Sequence, residues 1–159
     1  GYVVGKLRAA DLNTDFAYAA SFGAYKTADE SLTSSNTYQD DNELSAPVEA
    51  NAVYACWLKC TYASPAAADF KIYMTVPSGA TAPDWHYEHD GGTGVTSATT
   101  GITGVPGTAA GTKDPLDWHG LLIVGATAGT AQWRWAQATS DAGATTVYLG
   151  SYFLLKRIV

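Results

Sequence analysis

Apolar and polar positions alternate with a period of two over residues 52–63. Tyr54, Cys56, Leu58, Cys60 and Tyr62 fall on one face and Ala55, Trp57, Lys59 and Thr61 on the other, the pattern of a strand that buries one side. Ser64, Pro65 and the alanines that follow supply turn chemistry. Residues 69–76 return with Phe70, Ile72, Met74 and Val76 facing one way, so the two segments predict a hairpin. Pro77, Ser78 and Gly79 close the second strand, and residues 84–89 predict a short aromatic strand. The Gly- and Thr-rich residues 91–111 predict either a long loop or a weak hairpin. Strands are expected again over 116–124, 131–139 and 145–158, with shorter ones earlier at 31–33, 37–39 and 43–49. Residues 1–24 read differently: Leu12, Phe16 and Ala20 recur at helical spacing after Asp11, which predicts a short helix or ordered arm. Eight or so strands without a helical crossover predict an all-β fold. The expected architecture is a two-sheet antiparallel sandwich of jelly-roll type over residues 25–159, preceded by an N-terminal arm.

Composition narrows the class. The 159 residues suffice for one domain with a core between two layers. Hydrophobic residues make up 47% and charged residues 15%, too apolar for disorder and too lightly charged for an ordinary cytosolic enzyme surface. Thr, Ser, Ala and Gly take up the difference, as in β-rich extracellular and virion proteins. A net charge of −6 with scattered Lys and Arg argues against a nucleic-acid backbone as partner. The one basic pair, Lys156-Arg157, reads as a solvated strand end. No apolar run reaches membrane-spanning length. The opening residues lack the basic and apolar regions of a signal peptide, and Gly1 suits removal of an initiator Met, so synthesis in the cytoplasm is expected.

Candidate chemistry is sparse. Cys56 and Cys60 would stand about 13 Å apart on a strand at about 3.3 Å per residue, beyond disulfide reach, and read as buried free thiols. Zinc would need a second pair of ligands. Asp84, His86, Glu88 and Asp90 share one strand face and are the densest set of metal-ligand types. Same-face neighbours on one strand lie about 7 Å apart, however, which favours a polar face with Trp85 and Tyr87 packed inward. His119 has Asp117 and Asp114 as candidate partners, but no G-x-S-x-G elbow accompanies it. Asp40, Asp41 and Glu43 are contiguous acids of the kind that sit solvated in a turn. The Gly-rich stretch lacks a P-loop lysine. No catalytic residue, cofactor or metal site is expected. The tryptophans Trp57, Trp85, Trp118, Trp133 and Trp135 allow a sugar-stacking platform, although wide aromatics on sandwich strands are more often core or subunit interface. Trp85, Tyr87, Trp133 and Trp135 are the candidate surface or glycan contacts.

The segments ADESLTSSNTYQDDNEL, VEANAVYACWLKCTY, DFKIYMTVPSGA and HGLLIVGATAGTAQWRWAQATSDAGATTVYLGSYFLLKRI together resemble small head-decoration or minor tail proteins of phages infecting actinobacteria. The V-x-A-N-A-x-Y entry to a strand and the W-A-Q-x-T-S segment carry most of the likeness, and LRAADLN resembles the start of such virion proteins. The resemblance implies a non-enzymatic β-sandwich on the virion surface, as a capsid decoration, head-fibre or minor tail protein. It also implies a homo-oligomer, such as a trimer, contacting the major capsid or tail protein. Val3, Val4, Leu7, Leu12, Phe16 and Tyr18 are the candidate docking residues of the arm, and a host surface glycan is the candidate external partner. The aromatic 84–90 segment and the two cysteines depart from the usual pattern of the group.

Overall fold

The computed structural model describes residues 21–90, 92–96 and 101–159. The arm residues Val3, Val4, Leu7, Leu12, Phe16 and Tyr18 lie outside them. The described residues form twelve strands and no helix: β1 (Ser21–Tyr25), β2 (Glu30–Leu32), β3 (Gln39–Val48), β4 (Val53–Ala63), β5 (Phe70–Thr75), β6 (Trp85–His89), β7 (Gly92–Thr96), β8 (Gly101–Val105), β9 (Asp114–Ile123), β10 (Gly129–Gln137), β11 (Thr145–Val147) and β12 (Tyr152–Arg157).

These strands build two antiparallel sheets. The larger runs β1-β12-β4-β9-β6-β7, with β11 and β2 continuing beside one end of β4, and the smaller runs β3-β10-β5-β8. Among the strands of the quartets β1-β12-β4-β9 and β3-β10-β5-β8 the chain crosses the sandwich at every step except β5 to β8, which pair within the smaller sheet; this is the jelly-roll order expected from the sequence. The β6-β7 hairpin, inserted between β5 and β8, extends the larger sheet past β9.

Three sequence expectations change. β4 and β5 alternate as predicted, but they lie in different sheets and do not form a hairpin, because the turn after Ser64 carries the chain across the sandwich. The 91–111 segment contains β7 and β8, which pair with β6 and β5 and not with each other. Finally, β1 begins at Ser21 and pairs with β12 over five residues, so the body starts inside the stretch expected to be arm.

β3, β4, β5, β9, β10 and β12 bury their apolar faces between the sheets. Trp133, on β10, packs against Trp118 at 5.0 Å between ring centroids, Phe153 at 5.6 Å and Trp85 at 6.1 Å, all from the opposite sheet. Tyr62 stacks on Phe70 at 4.5 Å across the same gap. Trp133 meets Trp85 and Phe153 edge to face, where the positive edge of one ring approaches the negative face of another. Gly120 makes room for one of them. It faces inward opposite Trp85, and a Cβ there would come within 2.5 Å of the Trp85 ring, whose Nε1 donates to the Leu121 carbonyl at 2.6 Å.

A charged pair is buried at the edge of this core. The acids at 40–43, expected in a solvated turn, lie within β3, and the side chain of Asp41 is fully buried. Gln132 pairs with Ser45 whereas Arg134 pairs with Asp40, so β3 bulges between these points and turns Asp41 inward. Its carboxylate accepts from Lys26 Nζ at 2.9 Å on both oxygens, Trp135 Nε1 at 3.0 Å, and the backbone N–H of Glu43 and Leu44. Lys26 also donates to Glu30 at 2.8 Å. Burial alone would push the Lys26 ammonium down, and the hydrogen bonds and charges of Glu30 and Asp41 reverse this, leaving it above its ordinary value.

Three outcomes are expected. Asp41→Ala leaves the buried Lys26 ammonium with Glu30 as its close partner and orphans Trp135 Nε1 and the N–H groups of Glu43 and Leu44, lowering the unfolding free energy by about 3–5 kcal/mol in urea melts. Because the Lys26 pKa is raised on folding, its contribution is complete below 10.5 and fades as pH climbs through the higher folded value; a urea series carried past that pH reads the loss, which Asp41→Asn reduces. Gly120→Ala, measured the same way, costs about 1–3 kcal/mol through displacement of Trp85.

Candidate functional site

Because side chains alternate, the sheet that buries Tyr54, Cys56, Leu58 and Trp118 must present the intervening residues outward. On the outer face of the larger sheet the registers place Leu154, Trp57, His119 and His86 in a single row across β12, β4, β9 and β6. Trp57 is 43% exposed and Leu154 42%, while Trp85, Trp118, Trp133 and Trp135 are each fully buried. The His86 and His119 rings stack with centroids 5.6 Å apart and planes 14° from parallel. They are cross-strand neighbours whose side chains rise from the same face.

The rows on either side differ in character. Toward one end of the strands, Tyr152, Lys59, Asp117 and Glu88 form a polar row, in which Lys59 Nζ lies 3.3 Å from Asp117 Oδ1. Both groups are about half exposed, so this ion pair contributes at most about 1 kcal/mol to stability and keeps its hydrogen-bonding capacity open. Toward the other end lie Lys156, Ala55 and Leu121 in one row and Ile123 beyond it, with Leu121 and Ile123 each about two-fifths exposed. Hollows of about 400 Å³ flank the indole on both sides. One is lined by Trp57, Lys59, Asp117, His119, Tyr152 and Leu154 and the other by Trp57, Asp84, His86, His119 and Leu121.

The residues singled out from the sequence fare unevenly. Trp85, Trp133 and Trp135, candidate surface or glycan contacts on residues whose sequence context favours core or interface, are wholly inside the sandwich. Their pleat faces the opposite sheet, and no ligand at the surface reaches them. Tyr87 is half-buried, and its ring occupies the space over Gly94. Trp57 is the tryptophan that reaches solvent. Its signal was present in the alternation of β4, which places it opposite the core set and beside Lys59.

Asp84, His86, Glu88 and Asp90 are exposed or nearly so, and among the described residues no three His, Cys, Asp or Glu side chains group to hold a metal ion. Asp117 faces Lys59, and Asp114 is buried and accepts from Thr108 Oγ1 at 2.9 Å. His119 therefore has a second imidazole as its ring neighbour. Cys56 and Cys60 are buried free thiols. Burial pushes both up, Cys60 to about 12, which leaves essentially no thiolate for nucleophilic attack.

No family model matches this chain, and no curated protein is similar to it in sequence. Among the described residues, no helix is long and apolar enough to cross a membrane.

The burial pattern predicts a simple optical signature. A neutral collisional quencher such as acrylamide should reach one of the five tryptophans, and Trp57→Phe should remove most of the quenchable emission while leaving the melting curve within about 2 °C of the parent. Substantial quenching that survives the substitution would contradict the burial of the other four.

Proposed function

We propose that this chain is a non-enzymatic virion-surface protein, a capsid decoration or head-fibre protein. In this reading it docks on the major capsid protein through its N-terminal arm and turns the outer face of the larger sheet outward as its contact surface. The observation that carries the reading is that face. Leu154, Trp57, Leu121 and Ile123 lie uncovered across neighbouring central strands with charged groups beside them, the composition of a surface that meets a partner. The buried, protonated thiols and the His119–His86 pairing favour binding over catalysis, since neither supplies an activated nucleophile with its base. The jelly-roll frame suits the role mechanically, because closure of both sheets on one aromatic core leaves a rigid platform. Repetition of weak contacts around a particle would raise their combined affinity, which agrees with the homo-oligomer expected from the resemblance.

A minor tail location is the second reading. The outer face favours it equally, because a tail module also needs a surface for the host.

Cryo-electron microscopy of phage particles carrying the chain separates the two. Density on the capsid lattice, lost when residues 1–20 are deleted from a chain that still folds, is the expected result. Density confined to the tail would replace the decoration reading, and particle binding that persists without residues 1–20 would remove the docking role from Val3, Val4, Leu7, Leu12, Phe16 and Tyr18.

A further inference from the structure

We propose that the outer face of the larger sheet is a carbohydrate site centred on Trp57, which takes a short pyranose oligosaccharide lying across β12, β4, β9 and β6. This rests on the reading of that face as the contact surface and names the chemistry of what it contacts.

A pyranose has an apolar face of C–H bonds and a rim of hydroxyls, and the two sides of Trp57 repeat this division. The exposed indole offers a flat π surface for the C–H face. Leu121 and Ile123 extend it on the apolar side. On the other side, the Lys59 ammonium and Asp117 carboxylate stand 3.3 Å apart, one a donor and the other an acceptor, side by side as two neighbouring ring hydroxyls require. Tyr152 lines the same hollow, and His86 and His119 line the second. Each hollow, at about 400 Å³, lies within the size range of small-molecule sites. The row from Leu154 to His86 crosses three inter-strand steps, about 14 Å at about 4.8 Å each, enough for a few linked rings in place of one.

The alternatives fit less well. A second copy of the chain would need roughly 800 Å² per partner with a charge-poor centre. Here the apolar strip is one or two side chains wide, and the Lys59–Asp117 pair abuts Trp57. A nucleic acid would meet Asp84, Glu88 and Asp117 and a net charge of −6.

The test uses the full chain with chitotriose, cellotriose, maltotriose and purified host cell-wall polysaccharide as probes, read by tryptophan fluorescence and by calorimetry. Attachment of the chain to host cells is measured in parallel. Saturable binding of at least one probe is expected, weakened about tenfold or more by Trp57→Ala, largely kept by Trp57→Tyr, and weakened by Asp117→Asn with unchanged melting. If no probe binds at millimolar concentration while Trp57→Ala still reduces attachment to cells, the carbohydrate assignment fails and the contact face stands. If Trp57→Ala alters neither probe binding nor attachment, both fail.

Discussion

Asp41 is withdrawn from solvent at the point where the two sheets come together at one edge, and its two oxygens receive five hydrogen bonds. Lys26 lies just beyond β1, in the larger sheet, while Asp41 and Trp135 belong to β3 and β10 in the smaller one. A buried ion pair of this kind adds little net stability over well-packed apolar side chains, because desolvation offsets most of the attraction. Its effect is on arrangement. Any slip of one sheet over the other leaves a charge buried without its partner, so a single relative placement is tolerated. The bulge in β3 follows from the same requirement, since the strand must locally abandon its ladder to turn Asp41 inward and then satisfies its own freed N–H groups on that carboxylate.

With the sheets held in this relation, the aromatic core can be large without being loose. Trp133 projects from the smaller sheet into a recess formed by Trp118, Trp85 and Phe153 of the larger. The recess exists because Gly120 contributes no side chain opposite Trp85. Filling the interior with four indoles fixes the pleat of β6, β9 and β10 at the same time. A one-residue slip in β6, β9 or β10 would expose an indole and bury a polar neighbour, and one in β4 would carry Trp57 and Lys59 inward.

That pleat also makes the outer face. Burying Cys56, Leu58 and Trp118 leaves Trp57, Lys59, Asp117 and His119 no direction but outward, and the ten-pair register between β4 and β9 sets them in adjacent rows. The face is therefore a by-product of core packing in its geometry, while its chemistry, an indole between an aliphatic edge and an ion pair, is set by residues that the core does not constrain. Residues on the solvent side of a strand are free to serve binding, and here they are not the small hydroxyl side chains that cover much of the remaining surface.

The sequence by itself determined the all-β class, most strand positions and which side of β4 and β5 is buried, because a period of two is a local property written directly in the order of residues. It also determined that Cys56 and Cys60 point into the core. What it did not determine is long-range. Whether β4 and β5 form a hairpin or cross between sheets depends on the direction in which the turn after Ser64 sends the chain. Whether a tryptophan lies in the core or on the surface depends on which pleat its strand adopts against partners distant in sequence, so Trp85, Trp133 and Trp135 read as candidate contacts until the opposite sheet was placed over them. Asp41 is the sharpest case. Its local sequence of acids signals a solvated turn, and only the arrival of Lys26 and Trp135 from elsewhere in the chain makes its burial physically tolerable.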